Sequence, residues 1–148
     1  MNSKGVDPYQ AGMIKENIYD RAKKRKVRGL LVAVLDVKLE NRGYQLIPAP
    51  SRAVLSGEIH ELISTGEERA KPGEEVNSIG VIGFAEFTTG GVLAAGDKVV
   101  IGKMEIGVVA GFDETHAPNH LNIIIKTFRR VTGLDLGIEL EEEVTFSR

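Results

Sequence analysis

The sequence has no cysteine and no tryptophan, and Phe and Tyr together supply only 5% of its residues. The first absence excludes disulfides, thiolate metal sites and cysteine nucleophiles. The second leaves the core to aliphatic side chains. No apolar run approaches the roughly 18 residues that a membrane helix needs. The opening Met1-Asn2-Ser3-Lys4-Gly5-Val6-Asp7 has no apolar stretch behind it, so no secretory leader is expected and the cytoplasm is the expected compartment. A formal net charge of −2 gives no global attraction to nucleic acid or to anionic lipid. Two catalytic signatures are also missing. Thr88-Thr89-Gly90-Gly91 lacks the Lys-Ser/Thr continuation of a phosphate loop, and no serine sits in a Gly-x-Ser-x-Gly elbow.

What is present is an ordinary globular balance, 42% apolar and 27% charged, in a length that suits one domain over residues 1–148. Asp7-Pro8 is a good helix start, and Ala11, Ile14, Ile18 and Ala22 follow at helical spacing. The cluster Arg21, Lys23, Lys24, Arg25, Lys26 and Arg28 would close that helix, where cations complement the dipole. A helix is therefore expected over residues 8–25. The basic run has no interleaved aromatics for base stacking, so nucleic acid is not an expected partner.

From Val27 onward the pattern becomes that of strands. Leu30–Leu35 is wholly apolar, and Asp36 and Lys38 then alternate with Val37 and Leu39. Gly43 suits a turn back into Tyr44–Ile47 as a hairpin. Residues 54–63 read as a strand broken at Gly57 or as a short helix, and 65–77 as a loop. Gly80 and Gly83 lie inside the strand Ile79–Phe87, as expected where a sheet bends sharply. Gly102-Lys103 fits a tight hairpin into Met104–Phe112. His120–Thr127 places Leu121, Ile123 and Ile125 on one face, and two short segments, Leu134–Leu140 and Glu143–Phe146, finish the chain. The expected class is mainly β: a small closed or partly open β-barrel over residues 27–148 with one N-terminal helix.

The segment Ile79–Thr127 runs strand, Gly-Gly turn, Ala95-Gly96-Asp97, Lys98-Val-Val-Ile-Gly102, Gly107-Val-Val-Ala-Gly111, then Asn122-Ile-Ile-Ile-Lys126. It resembles the glucitol/sorbitol-specific IIA component of the sugar phosphotransferase system. The resemblance implies a small β-barrel, and in that family a histidine carries a phosphoryl group toward a membrane permease. The family's histidine-bearing strand would fall on Val81–Glu86, which holds no histidine. A phosphocarrier role is therefore not expected.

The richest polar stretch is Asp113-Glu114-Thr115-His116-Ala117-Pro118-Asn119-His120, between two expected strands, where functional groups concentrate. Two imidazoles and two carboxylates suit a divalent metal or proton transfer. His116, His120, Asp113 and Glu114 are the catalytic candidates, the first three also the metal candidates. His116 and His120 have the spacing of a helical metal pair, but Pro118 between them disfavours a helix. The plainer reading makes Asp113 and Asn119 turn caps with surface histidines. Glu58 and His60, two apart, would share a strand face, either as an oriented pair or as an exposed charge pair. With Asn119 and Asn122 they are the ligand-binding candidates. Three functions fit: a binding or accessory barrel for a small molecule or partner, a metal-assisted enzyme built on the 113–120 loop, and a self-assembling structural subunit. A homo-oligomer is expected, because a sheet of short strands has edges to cover.

Overall fold

A computed structural model describes residues 17–148. Seven strands make the main sheet: β1 (Val27–Leu39), β4 (Ile59–Thr65), β6 (Ile79–Phe87), β8 (Lys98–Ile101), β9 (Met104–Asp113), β10 (Asn122–Lys126) and β11 (Glu143–Ser147). Their order is β1-β11-β8-β9-β10-β4-β6, and β6 pairs again with β1, so the sheet forms a ring. The β4–β10 pair is parallel. Two ribbons lie outside the ring: β2 (Tyr44–Gln45) with β5 (Glu75–Val76), and β3 (Ser51–Val54) with β7 (Gly91–Ala94). Among the described residues no helix is long and apolar enough to cross a membrane.

Alternation along the strands sorts the apolar residues into two cores. Leu31, Leu62, Phe87, Val99, Phe112, Ile123 and Phe146 come from the seven ring strands and pack inside it. Phe87 and Phe146 stack there with centroids 5.7 Å apart. Ile63, Ala110 and Ile124 point the other way, into a second cluster with Tyr44, Leu46 and Val76 of the β2–β5 ribbon. Sharp curvature is concentrated where β1 and β6 slip in register, between Leu31 and Ala33 and between Val34 and Val37. Gly83 lies opposite Val34, and a Cβ there would stand 2.0 Å from the Ala33 carbonyl oxygen. Only glycine permits that approach.

Four expectations need correction. Of the helix expected over 8–25, residues 8–16 lie outside the described residues, and 17–25 are not an α-helix. They hold one 3₁₀ turn, Ile18–Arg21, capped by Asn17, and the chain is extended at Ala22. Extension lets Lys24 reach buried Asp97 and Arg25 reach the Gly90 carbonyl, contacts that outweigh an isolated amphipathic stripe. Tyr44–Ile47 does not fold back on β1; β2 pairs with β5, because β1 already has β11 and β6 at its two edges. Residues 54–63 take the first of their two expected forms, a strand broken at Gly57 (φ +93°), between β3 and β4, but the loop expected over 65–77 holds β5, which the partner strand β2 recruits. Leu134–Leu140 contains no strand. Instead Thr132 and Asp135 form a capping box over the short helix α1 (Gly133–Leu136).

Candidate functional site

Strand register assembles the floor of the site. Glu61 on β4 lies beside Phe84 on β6 and beside Asn122 on β10, and Asn122 lies beside Asp113 on β9. Paired residues share a face, so these four side chains form a row across adjacent strands. The row is on the outer face, one step along from Ile63 and Ile124 of the second core. The 114–121 loop then folds back over it by turns rather than as a helix, and brings the His116 and His120 rings to 4.8 Å. Its end is clamped to β4: Leu121 accepts from the Glu61 N–H at 3.0 Å, and its own N–H donates to His60 Nδ1 at 2.9 Å.

Glu61, His116 and His120 converge, with one potential ligand atom from each and all three within 4.8 Å of one another. Glu61 Oε1 lies 2.9 Å from His120 Nε2 and 3.9 Å from His116 Nδ1. Atoms sharing an ion at bonds of about 2.0–2.2 Å stand roughly 2.9–3.4 Å apart, so small side-chain shifts suffice. The remaining contacts suit that use. His120 Nδ1 faces Asn119 Oδ1 at 2.7 Å, the outer N–H bond that orients a metal-bound imidazole. The Phe84 ring packs edge-on against His120 at 5.1 Å. Asn122 gives an amide N–H to Asp113 Oδ1 at 3.0 Å, and its amide stands against His116 Nδ1, with Nδ2 at 3.1 Å and Oδ1 at 3.3 Å. The side chains of Glu61 and His120 are 10% and 14% exposed and that of His116 35%, so the site opens on the His116 side.

Asp113 is not among the converging ligands. Its carboxylate accepts from the Gln45 and Thr115 N–H groups, the Thr115 hydroxyl and Asn122, which fixes the loop and the Asn122 amide. It caps the turn that follows β9. Glu114 turns away and pairs with Arg52 at 3.4 Å.

Glu58 and His60 do share a face and meet at 3.3 Å. His60 points inward and packs on Phe87, while the Glu58 carboxylate reaches solvent; neither is among the three converging groups. With His60 Nδ1 accepting from Leu121, the ring proton is on Nε2 and is donated to Glu58. Burial holds the His60 pKa below its ordinary value although Glu58 pulls the other way, and Glu58 is held low chiefly by the Leu55 N–H. The contact is therefore a neutral N–H on a carboxylate rather than an ion pair. Both line a cleft of about 170 Å³ with Arg52, Glu114, Asn119 and His120.

Three relevant residues were not singled out by the sequence: Glu61, Arg42 and Tyr44. A signal for Glu61 was available, since it is a lone carboxylate inside the apolar strand Ile59–Ile63 and ends 8% exposed. Arg42 lies over the Tyr44 ring at 4.4 Å, and its Nη2 is 3.5 Å from His116 Nε2. Burial raises the Tyr44 pKa, with Arg42 opposing it.

A family model described as a family of unknown function, DUF6917, matches residues 21–147. The chain belongs to this family. The match takes in every strand of the ring and every residue of the site. No curated protein and no solved structure matches the chain.

Proposed function

We propose that this chain is a divalent-metal protein in which Glu61, His116 and His120 hold a first-row transition ion. The observation that carries the reading is their convergence from strand β4 and one loop onto a single point of the outer face. Two imidazoles and one carboxylate are a donor set for zinc, iron(II) and similar ions. Three protein ligands with an open side leave coordination positions for water or a substrate, the arrangement of catalytic rather than structural centres. When bound, the ion would act as a Lewis acid and lower the pKa of a coordinated water. The protein's part is to hold the ligands: Asn119 on His120, Asp113 through Asn122 beside His116.

The test is elemental analysis and cobalt(II) titration of protein made without an affinity tag. One equivalent of ion is expected, with at least about tenfold weaker binding in Glu61→Gln and in His120→Ala. Absence of saturable binding by the wild type would end the proposal.

A second reading, binding of a small molecule without catalysis, is supported by the polar cleft beside His60. The likeness of residues 79–127 to the sorbitol IIA family, with no histidine in 81–86, favours binding without phosphoryl relay. Elution of a stoichiometric organic ligand from purified protein, with no metal, would favour it over the first.

A further inference from the structure

We infer that the metal centre takes a small oxyanion, a carboxylate or phosphate group, bridging the ion and the guanidinium of Arg42. This rests on the metal reading above. Arg42 makes no ion pair with any described residue, although it stands against the one cluster where Glu61 and two histidines meet. Its guanidinium carbon lies 4.4 Å from the Tyr44 ring centroid, a contact that holds the group beside the cluster without neutralising its charge.

Charge asks for an anion at this place. A divalent ion and Arg42 bring three positive charges, against one negative charge each from Glu61 and Asp113. Asp113 already accepts from four donors, so it cannot also serve Arg42. One oxyanion balances the site and supplies a ligand on the side that is open, next to the more exposed His116.

The hydrogen bonds couple the two events. Where Arg42 donates to His116 Nε2, the ring proton is on Nδ1 and faces Asn122 Oδ1 at 3.3 Å; where the Asn122 amide N–H donates to Nδ1, at 3.1 Å, the proton is on Nε2. An ion on Nδ1 requires the other tautomer, whose Nε2–H would face the Arg42 N–H. Ion binding and the Arg42–His116 bond therefore exclude each other, and loading frees the guanidinium edge. The free edge then lies no more than about 8 Å from the ion, close to the span of one carboxylate with its two bonds, roughly 7 Å.

The experiment is titration of the cobalt(II)-loaded full chain with oxalate, acetate and inorganic phosphate, followed through the cobalt visible bands. A saturable spectral change is expected, at least about tenfold weaker in Arg42→Gln and unchanged in Arg69→Gln, an exposed arginine removed as a charge control. Cobalt affinity itself is expected to be equal or tighter in Arg42→Gln, since a competing donor and a repelling charge are gone. Arg42→Lys keeps the charge on a single-pointed donor, and partial recovery there supports a charge-assisted contact from this position. A response to oxalate and acetate alone marks a carboxylate substrate; a response to phosphate alone marks a phosphorylated one. If cobalt binds but no oxyanion moves its bands, or if Arg42→Gln responds as the wild type does, the inference fails and the metal centre stands. If the wild type binds no cobalt, both fail together.

Discussion

Asp97 and Glu61 are both buried carboxylates that face two basic side chains, yet the two places serve opposite ends. Asp97 is fully buried, and Lys24 at 2.7 Å, Arg148 at 3.2 Å and the Ala94 N–H at 2.9 Å surround it. Ammonium and guanidinium groups are donors only and offer no lone pair, so that cluster can only hold. It ties the extended segment after the 3₁₀ turn, and Arg148 after β11, to the turn before β8. Glu61 faces His120 and His116 instead. An imidazole can exchange its proton for a metal ion, so the same carboxylate chemistry becomes a site when the cations are histidines. The difference lies in the partners, not in the acid.

The comparison breaks most visibly at the clasp. Asp97→Ala should destabilise the fold by about 3–5 kcal/mol in chemical denaturation, because it strands Lys24, whose side chain is 9% exposed, with no counter-charge. A loss below about 1 kcal/mol would mean that Asp97 is no clasp. Glu61→Gln should behave differently. In the wild type, zinc at a hundred times its Kd should add about 2.7 kcal/mol of stability, and in Glu61→Gln, binding at least about tenfold more weakly, that gain should fall to about 1.4 kcal/mol or less. An equal zinc response in both proteins would remove Glu61 from the centre. Next in size is Asn119→Ala, which removes the bond on His120 Nδ1 and should weaken zinc by about tenfold or more without touching the ligands.

The smallest effect sharpens a third case, Glu58. Its pKa is lowered in the fold, chiefly by the Leu55 N–H. Its contribution is therefore full above about pH 5 and is lost as pH falls through the lower folded value. Melting temperatures of wild type and Glu58→Gln should differ at neutral pH and converge in acid. Glu58 is 40% exposed, so the difference should be slight. A gap that widens on acidification would contradict the assignment.

Much of this was legible along the chain. The shared face of Leu121, Ile123 and Ile125 marked β10, and Gly102-Lys103 marked the β8–β9 hairpin, because strand faces and tight turns are written in neighbouring residues. The histidines of the 113–120 loop were legible as metal candidates by their chemistry alone. The helical spacing of Ile18 and Ala22 misled for the same local reason: in residues 17–25 a buried partner 73 positions away, Asp97 for Lys24, decides the backbone.

Local pattern was enough for the sheet-rich class, for the common face of Leu121, Ile123 and Ile125, and for the loop that carries two of the imidazoles, but not for Val37 and Leu39, which alternate as a half-buried strand would and are exposed. Only the tertiary structure decided that the acid meeting them is Glu61 rather than Asp113 or Glu58, and that Arg42 stands beside it. The reason is physical: ligand convergence depends on the parallel β4–β10 register and on a ribbon outside the ring, and both are pairings between residues far apart in the chain. No local pattern encodes a distance of that kind.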